Sequence, residues 1–195
     1  DGSDVSVSSY LNLDAVIVRH QNNQGKGAAI LTGARKVQEL GFDYFISMDG
    51  DGQHLASEID KLVAQKTAEH QIVIGARNLS IAHVPDITRI GMAYHNFWIK
   101  LNTGYPIPDS LTGFRLYPVS ILDLDLTSRG YAFEVEVLVK HYWKHKNISS
   151  VTVDCYYPTA EQRVSHFNNY IDTVRITLLH LKLMMFRLLL RRDLQ

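Results

Sequence analysis

The 195-residue chain is short of several things, and each shortage removes a class of function. It has one cysteine, Cys155, so no disulfide forms within it and a reducing compartment is expected. The same shortage argues against zinc chemistry, because His54, His83, His95 and His166 are scattered and have no cysteine partners. Excess charge is missing too: 20 Lys and Arg balance 20 Asp and Glu, which argues against non-specific nucleic-acid binding as the main role. No serine sits in the glycine context of a nucleophile elbow, so Ser-His-Asp acyl chemistry is not indicated. Low-complexity tracts are absent, and the length suits one domain with a sizeable core. A signal peptide is also absent. The first residue is Asp1 rather than Met, and Asp1-Gly2-Ser3-Asp4 reads as a turn already inside a domain, so a leading segment is expected to be missing.

What is present begins with Ala15-Val16-Ile17-Val18, an apolar run suited to a buried strand. Asn22 to Gly27 interrupts it, and Ala28 to Leu40 then has helical spacing with Gly41 as a stop. Phe42 to Met48 reads as a second strand. Ser57 is an expected N-cap for a helix carrying Ile59, Leu62 and Val63 on one face. Ile72-Val73-Ile74 is a third strand ending at Gly75-Ala76-Arg77. Strands and helices alternating at this spacing imply βαβ units and a mostly parallel sheet, with ligands gathered beyond the carboxyl ends of the strands.

The second half is less regular. Ile87 to Leu101 is expected to be a helix with Ile90, Phe97 and Trp98 inward; Phe133 to Lys146 is another, with Val135, Leu138, Val139 and Tyr142 on its apolar face. Asp109 to Tyr117 leads into a strand, and Ile148 to Tyr157 alternates enough to be one more. Asn168 to Arg191 is a long final helix with Ile171, Val174, Leu178, Leu181, Met185 and Leu188 in one stripe. Charges inside the apolar run argue against a membrane span. Two readings stand for this helix: an amphipathic helix docked on protein, or one lying in a membrane interface with its basic residues toward anionic headgroups.

The chemistry concentrates at Asp49-Gly50-Asp51-Gly52-Gln53-His54, directly after the second expected strand. Carboxylates two apart in an extended segment point the same way, and magnesium or manganese prefers such oxygen ligands while leaving places for phosphates. The competing reading is a solvated Asp-Gly turn. An EF-hand loop fits poorly, with His54 at its sixth position and Asp60 at its twelfth. Asn23-Gln24-Gly25-Lys26-Gly27 precedes a helix, where backbone N–H groups attract anions, but it lacks the Gly-Lys-Ser/Thr ending of a phosphate-cradling loop. Arg77, Arg89, Arg115 and Arg163 each flank a loop and are candidates for phosphate contact or for structural ion pairs.

Taken together, Asp1-Gly2-Ser3-Asp4, Asn23 to Ala28 with Gly33, Asp49 to His54, Gly75-Ala76-Arg77 and Asp109 to Arg115 resemble the glycosyltransferase family 2 superfamily. The branch they resemble is the dolichol- or polyprenol-phosphate mannose synthase-like one. The resemblance implies an α/β, Rossmann-like GT-A fold: a mixed, mostly parallel sheet flanked by helices, followed by a C-terminal amphipathic helix. It implies a catalytic domain over 1–167 lacking its first strand and helix, with 168–195 as a basic helix. It also implies an inverting transfer from a UDP- or GDP-sugar to a lipid-phosphate or lipid-linked acceptor, with Mg2+ or Mn2+, at the cytoplasmic face of a membrane.

By the same resemblance Asp1 lies near the base, Asp49 serves ribose and metal, and Asp51 and Gln53 are metal ligands. Lys26, Arg77 and Arg115 contact substrate, Arg163 acts at the departing diphosphate, and Asp109 stands on the acceptor side as base for a hydroxyl acceptor. Two alternatives remain open at the level of sequence: a nucleotidyltransferase, and a non-catalytic sugar- or lipid-binding module of the same fold.

Overall fold

The computed structural model describes residues 15–78, 86–156 and 169–192. Strands β1 (Tyr44–Ser47), β2 (Ile72–Arg77), β3 (Arg115–Pro118) and β4 (Ile148–Val153) form one sheet in the order β1-β3-β2-β4. Three strands run one way. β3 runs the other way between β1 and β2, so the β2–β4 ladder is parallel and the other two are antiparallel. This is the mixed, mostly parallel α/β sheet that the family resemblance implies, with three of its four strands running the same way.

Alternation along β2 divides the core, because successive side chains leave opposite faces of a strand. Ile72 and Ile74 join Tyr117, Phe133, Val135 and Leu138 on one side, while Val73 joins Leu62, Phe114, Leu116 and Val153 on the other. Helix α2 (Ile59–Gln65) covers the second face. The first is covered by α1 (Lys26–Glu39) and α4 (Ala132–His145), with α3 (Asp86–Thr103) and α5 (Asn169–Arg192) packed beside α4. Val135, Leu138 and Val139 are completely buried, as the apolar face of α4 requires.

Several local expectations change. Ala15 to Val18 joins no described strand; Val16 and Val18, with His20, line a groove along α1, and His20 Nε2 meets Thr32 Oγ1 at 2.9 Å. Four apolar residues carry too short a period to separate a strand from a segment laid along a helix. Ser57 is not a cap: it lies inside a 3-10 turn, Ala56–Glu58, that leads into α2. Of the expected face of α2, Leu62 is buried and Val63 is exposed.

Helix α3 is partly turned relative to expectation: Trp98 packs inward, stacked on His180 with ring centroids 5.7 Å apart. Met92, His95, Ile99 and Asn102 face inward, whereas Ile90 is 65% and Phe97 60% exposed. The inward side is chosen by polar pairing across to α5, which hydropathy does not register: the Asn102 amide lies 3.3 Å from His180 Nδ1. Helix α5 docks through Ile176, Leu179, His180 and Leu183, and the stripe read from its sequence faces away from the domain.

Candidate functional site

The carboxyl ends of β1, β2 and β4 meet the segment entering β3 at one sheet edge. The loop after β1 is tied to the segment after β4 by a bridge between His54 and Cys155, and the Tyr156 N–H donates to Gln53 O at 2.9 Å. Asp51 Oδ1 accepts the Gln53 N–H at 3.0 Å, and Gly52, with φ of 73°, supplies the left-handed turn that this loop needs. Asp51 is exposed at the rim and Asp49 is half-buried beneath it.

Asp49 sits against Gly113. A Cβ there would collide with both carboxylate oxygens, so the glycine is required for the acid to occupy this position. Ser47 Oγ fixes the opposing chain by donating to Gly113 O at 2.6 Å. Lys26 Nζ bridges Asp49 Oδ1 at 2.7 Å and Glu134 Oε1 at 2.5 Å. Burial works against the Lys26 charge, but Glu134 and Asp49 outweigh it and hold the ammonium well above its ordinary range. The lysine is therefore a fixed positive charge beside Asp49.

The glycines around Lys26 explain how it gets there. A Cβ on Gly25 would press on Arg129 O, and one on Gly27 on the Phe133 ring, so both allow the start of α1 to abut the start of α4. The Ala28 N–H donates to Arg129 O at 3.1 Å, so one of the expected anion-binding donors of α1 is already used within the protein.

Arg77, at the end of β2, and Asp109 form a forked pair: Nε to Oδ2 at 2.7 Å and Nη2 to Oδ1 at 3.0 Å. The Arg77 N–H adds a third bond to Oδ2 at 3.2 Å. Asp109 is completely buried, and both of its oxygens accept from protein donors. Arg115 is also completely buried: its Nη1 donates to Tyr117 Oη at 3.0 Å and Glu134 O at 2.9 Å, and Nη2 to Ser110 O at 2.8 Å. It braces the β3 entry and the start of α4 from inside the core. The sequence shows a cation beside a loop, not which way it points.

Lys26, Asp49, Asp51, Gln53, Arg77 and Asp109 thus gather at one edge, while Arg115 supports that edge from within. Asp1 and Arg163 lie outside the described residues. Two neighbours were not singled out from sequence as site residues. Glu134 partners Lys26; its signal was an acid inside the apolar run Phe133-Glu134-Val135. His54 stacks on Phe114 with ring centroids 5.1 Å apart, and its Nδ1 lies 3.6 Å from Cys155 Sγ. Burial lowers the His54 pKa, an effect that Asp49 partly offsets and Arg77 reinforces. Burial also pushes the Cys155 thiol up to about 11, which keeps it protonated and unreactive at neutral pH.

Among the described residues, no group of three or more His, Cys, Asp or Glu side chains forms a metal cluster. The donor set in question is of another kind: two carboxylates and an amide, on a turn whose close approach depends on Gly113. Such a set fits a hard cation that takes its remaining ligands from phosphate oxygens and water. Asp49 and Asp51 would hold it, with Gln53 beside them.

Residues 1–125 match the family described as Glycosyl transferase family 2. The chain is 28% identical over 149 residues to a UDP-N-acetylglucosamine–dolichyl-phosphate N-acetylglucosaminyltransferase of Methanococcus voltae, covering 73% of this chain and 59% of the relative. It is 27% identical over 145 residues to an undecaprenyl-phosphate mannosyltransferase of Micrococcus luteus, covering 70% and 59%. Its fold is shared with glucosyl-3-phosphoglycerate synthase of Mycobacterium tuberculosis, solved with Mn2+, UDP-glucose and phosphoglyceric acid. That likeness has a TM-score of 0.53 at 18% identity, over 88% of this chain and 56% of the other. The chain spans about three-fifths of the length of these curated relatives. With its sheet edge, its acidic turn and a match across most of its length, the chain belongs to glycosyl transferase family 2.

Proposed function

We propose that the chain is the catalytic part of a metal-dependent glycosyltransferase moving a sugar from a nucleoside diphosphate to a lipid phosphate at a membrane surface. The observation carrying this is the convergence of Asp49, Asp51 and Gln53 with Lys26 and the Arg77–Asp109 fork at one sheet edge. Relatives named for dolichyl-phosphate and undecaprenyl-phosphate acceptors support the lipid class, and a neighbour solved with Mn2+ and UDP-glucose supports the donor class.

On this reading the catalytic unit comprises residues 1–167, with α5 as its membrane-facing element. A divalent cation, when bound, supplies charge that stabilises the departing diphosphate. Lys26 neutralises part of the acidic turn. It holds Asp49 in place through their ion pair while leaving the Asp51 rim open to solvent. Arg77, aligned by Asp109, presents positive charge where negative charge accumulates on the leaving group. Displacement at the anomeric carbon in one step gives inversion.

A lipid phosphate is an anion at neutral pH and needs no general base. Full commitment of Asp109 to Arg77 agrees with such an acceptor and makes Asp109 a positioning residue. Asp1 and Arg163 complete the proposed donor contacts at the base and the diphosphate. Arg115 acts on substrate only through the frame it braces.

The test incubates the complete protein with UDP- and GDP-sugars, Mn2+ or Mg2+ and polyprenyl phosphate, and identifies products by mass spectrometry. A glycosylated lipid phosphate and free nucleoside diphosphate are expected. Pyrophosphate from a nucleoside triphosphate would instead mark a nucleotidyltransferase, and donor binding without product a binding module.

A further inference from the structure

The outward faces of α3 and α5 present apolar side chains where a water-facing helix would carry polar ones. On α3, Ile90, Tyr94, Phe97 and Leu101 follow helical spacing on one face, with Ile90 and Phe97 more than half exposed. On α5, Val174, Leu178, Leu181 and Met185 do the same, with Leu178 at 61% and Met185 at 62%. The helices are joined between these stripes: Tyr94 Oη meets Thr177 Oγ1 at 2.9 Å, and Arg187 Nη1 donates to Asn102 O at 2.5 Å. The stripes therefore form one surface. It spans helices of 18 and 24 residues, about 27 and 36 Å long at the usual rise.

Among the side chains described at the edge of this surface, charge is mainly basic. Lys182 and Arg175 lie on the exposed arc of α5, the Arg175 side chain being 72% exposed, and Lys100 flanks the α3 stripe. Asp172, the acid beside them, is mostly covered and lies 3.7 Å from Arg175. No helix among the described residues is long and apolar enough to cross a membrane. An apolar surface with a basic rim matches the boundary of an anionic bilayer, where the apolar groups enter the acyl region and the cations meet headgroups. A second copy of the chain would set like charges against each other, and an apolar segment of the same chain would offer nothing to Lys100 and Lys182.

We infer that α3 and α5 together form a two-helix platform that lies flat on an anionic lipid surface. This deepens the membrane reading proposed above and rests on it. The platform starts at the cavity of about 280 Å3 shared by Ser128–Ala132, at the start of α4, and Asp172, Arg175 and Leu179 of α5. Docking would therefore bring the Lys26 end of the site toward the headgroup layer.

The test is co-sedimentation of the full chain with phosphatidylcholine vesicles, with and without phosphatidylglycerol, for the wild type, Phe97→Glu on α3, Leu178→Glu on α5 and Val63→Glu on α2. Circular dichroism checks each fold. The expected result is partition into anionic vesicles, weakened about tenfold or more by Phe97→Glu and by Leu178→Glu alike, and unchanged by Val63→Glu. Loss with Leu178→Glu but not Phe97→Glu would overturn the two-helix platform in favour of α5 alone. Wild-type self-association in sedimentation velocity, without vesicle binding, would assign the surface to a second copy and overturn the inference. Donor-dependent thermal stabilisation, measured in parallel, separates failure of the platform from failure of the transferase reading.

Discussion

The carboxyl edge of the sheet and the α3–α5 layer treat polar groups in opposite ways. At the edge Lys26 pairs with Asp49 and Glu134, and Arg77 with Asp109, while buried Arg115 is held by two carbonyls and the Tyr117 hydroxyl. In the helical layer the buried groups are neutral and under-paired. His95 Nδ1, Trp98 Nε1, Asn102 Oδ1 and His180 Nε2 are all buried without a hydrogen-bond partner, while large apolar side chains stand outside. Such orphaned atoms cost about 1–3 kcal/mol each. The comparison teaches that the edge is built to hold charge in place. The layer accepts internal misfit while turning its better apolar face outward, which is sensible only where that face meets something other than water.

Mutations separate the two regions. The largest effect on folding is expected for Arg115→Leu, which leaves Ser110 O and Glu134 O without their donor; a loss of about 3–5 kcal/mol in urea unfolding is expected. Asp109→Asn keeps the shape but loses the charge that aligns Arg77. Turnover with nucleotide-sugar and polyprenyl phosphate should fall about ten- to hundredfold, with a much smaller change in stability. A collapse in stability with unaltered turnover would show that the fork is only a structural brace.

The layer is best probed by pH. Burial lowers His95 to about 4 and His180, with His95 beside it, to about 3, against an ordinary value of 6.5. Unfolded chains take up these protons near pH 6.5 and the folded protein does not. The stability due to the neutral rings is therefore complete above that pH and lost as pH falls toward 4 and then 3, at about 1.4 kcal/mol per pH unit for each ring. His180→Gln should flatten the acid limb of the stability–pH curve; an unchanged limb would place the titrating groups elsewhere. The smallest effect is expected from Val63→Ser on the exposed side of α2, within about 0.5 kcal/mol in the same unfolding assay.

Sequence reading succeeded where a local rule carries the structure. The acidic turn, the Gly25 loop and the β2 strand were legible because glycine spacing and apolar runs report backbone needs directly. Helix α4 was legible because Val135, Leu138 and Val139 obey one period. Reading failed where a partner decides. Ile90 and Phe97 were expected inward because hydropathy assumes a single apolar environment, whereas Asn102 meets His180 across the layer with the His95 and Trp98 rings packed beside it. Arg115 resembled its neighbours in sequence, and only the carbonyls around it show that it belongs to the core. Glu134 fell inside the expected helix from Phe133 to Lys146 without a role, since nothing local says that Lys26 reaches it.

The central claim is that Asp49 and Asp51 hold a divalent cation with a nucleoside diphosphate. The measurement that reaches it most directly is the thermal midpoint of the complete protein with UDP- or GDP-sugar, with and without Mn2+, for the wild type and Asp51→Asn. Donor and metal together are expected to raise the wild-type midpoint by several degrees, with metal alone adding little and Asp51→Asn losing the joint effect while its unliganded midpoint stays put. A metal-independent rise that is equal in Asp51→Asn would contradict the claim.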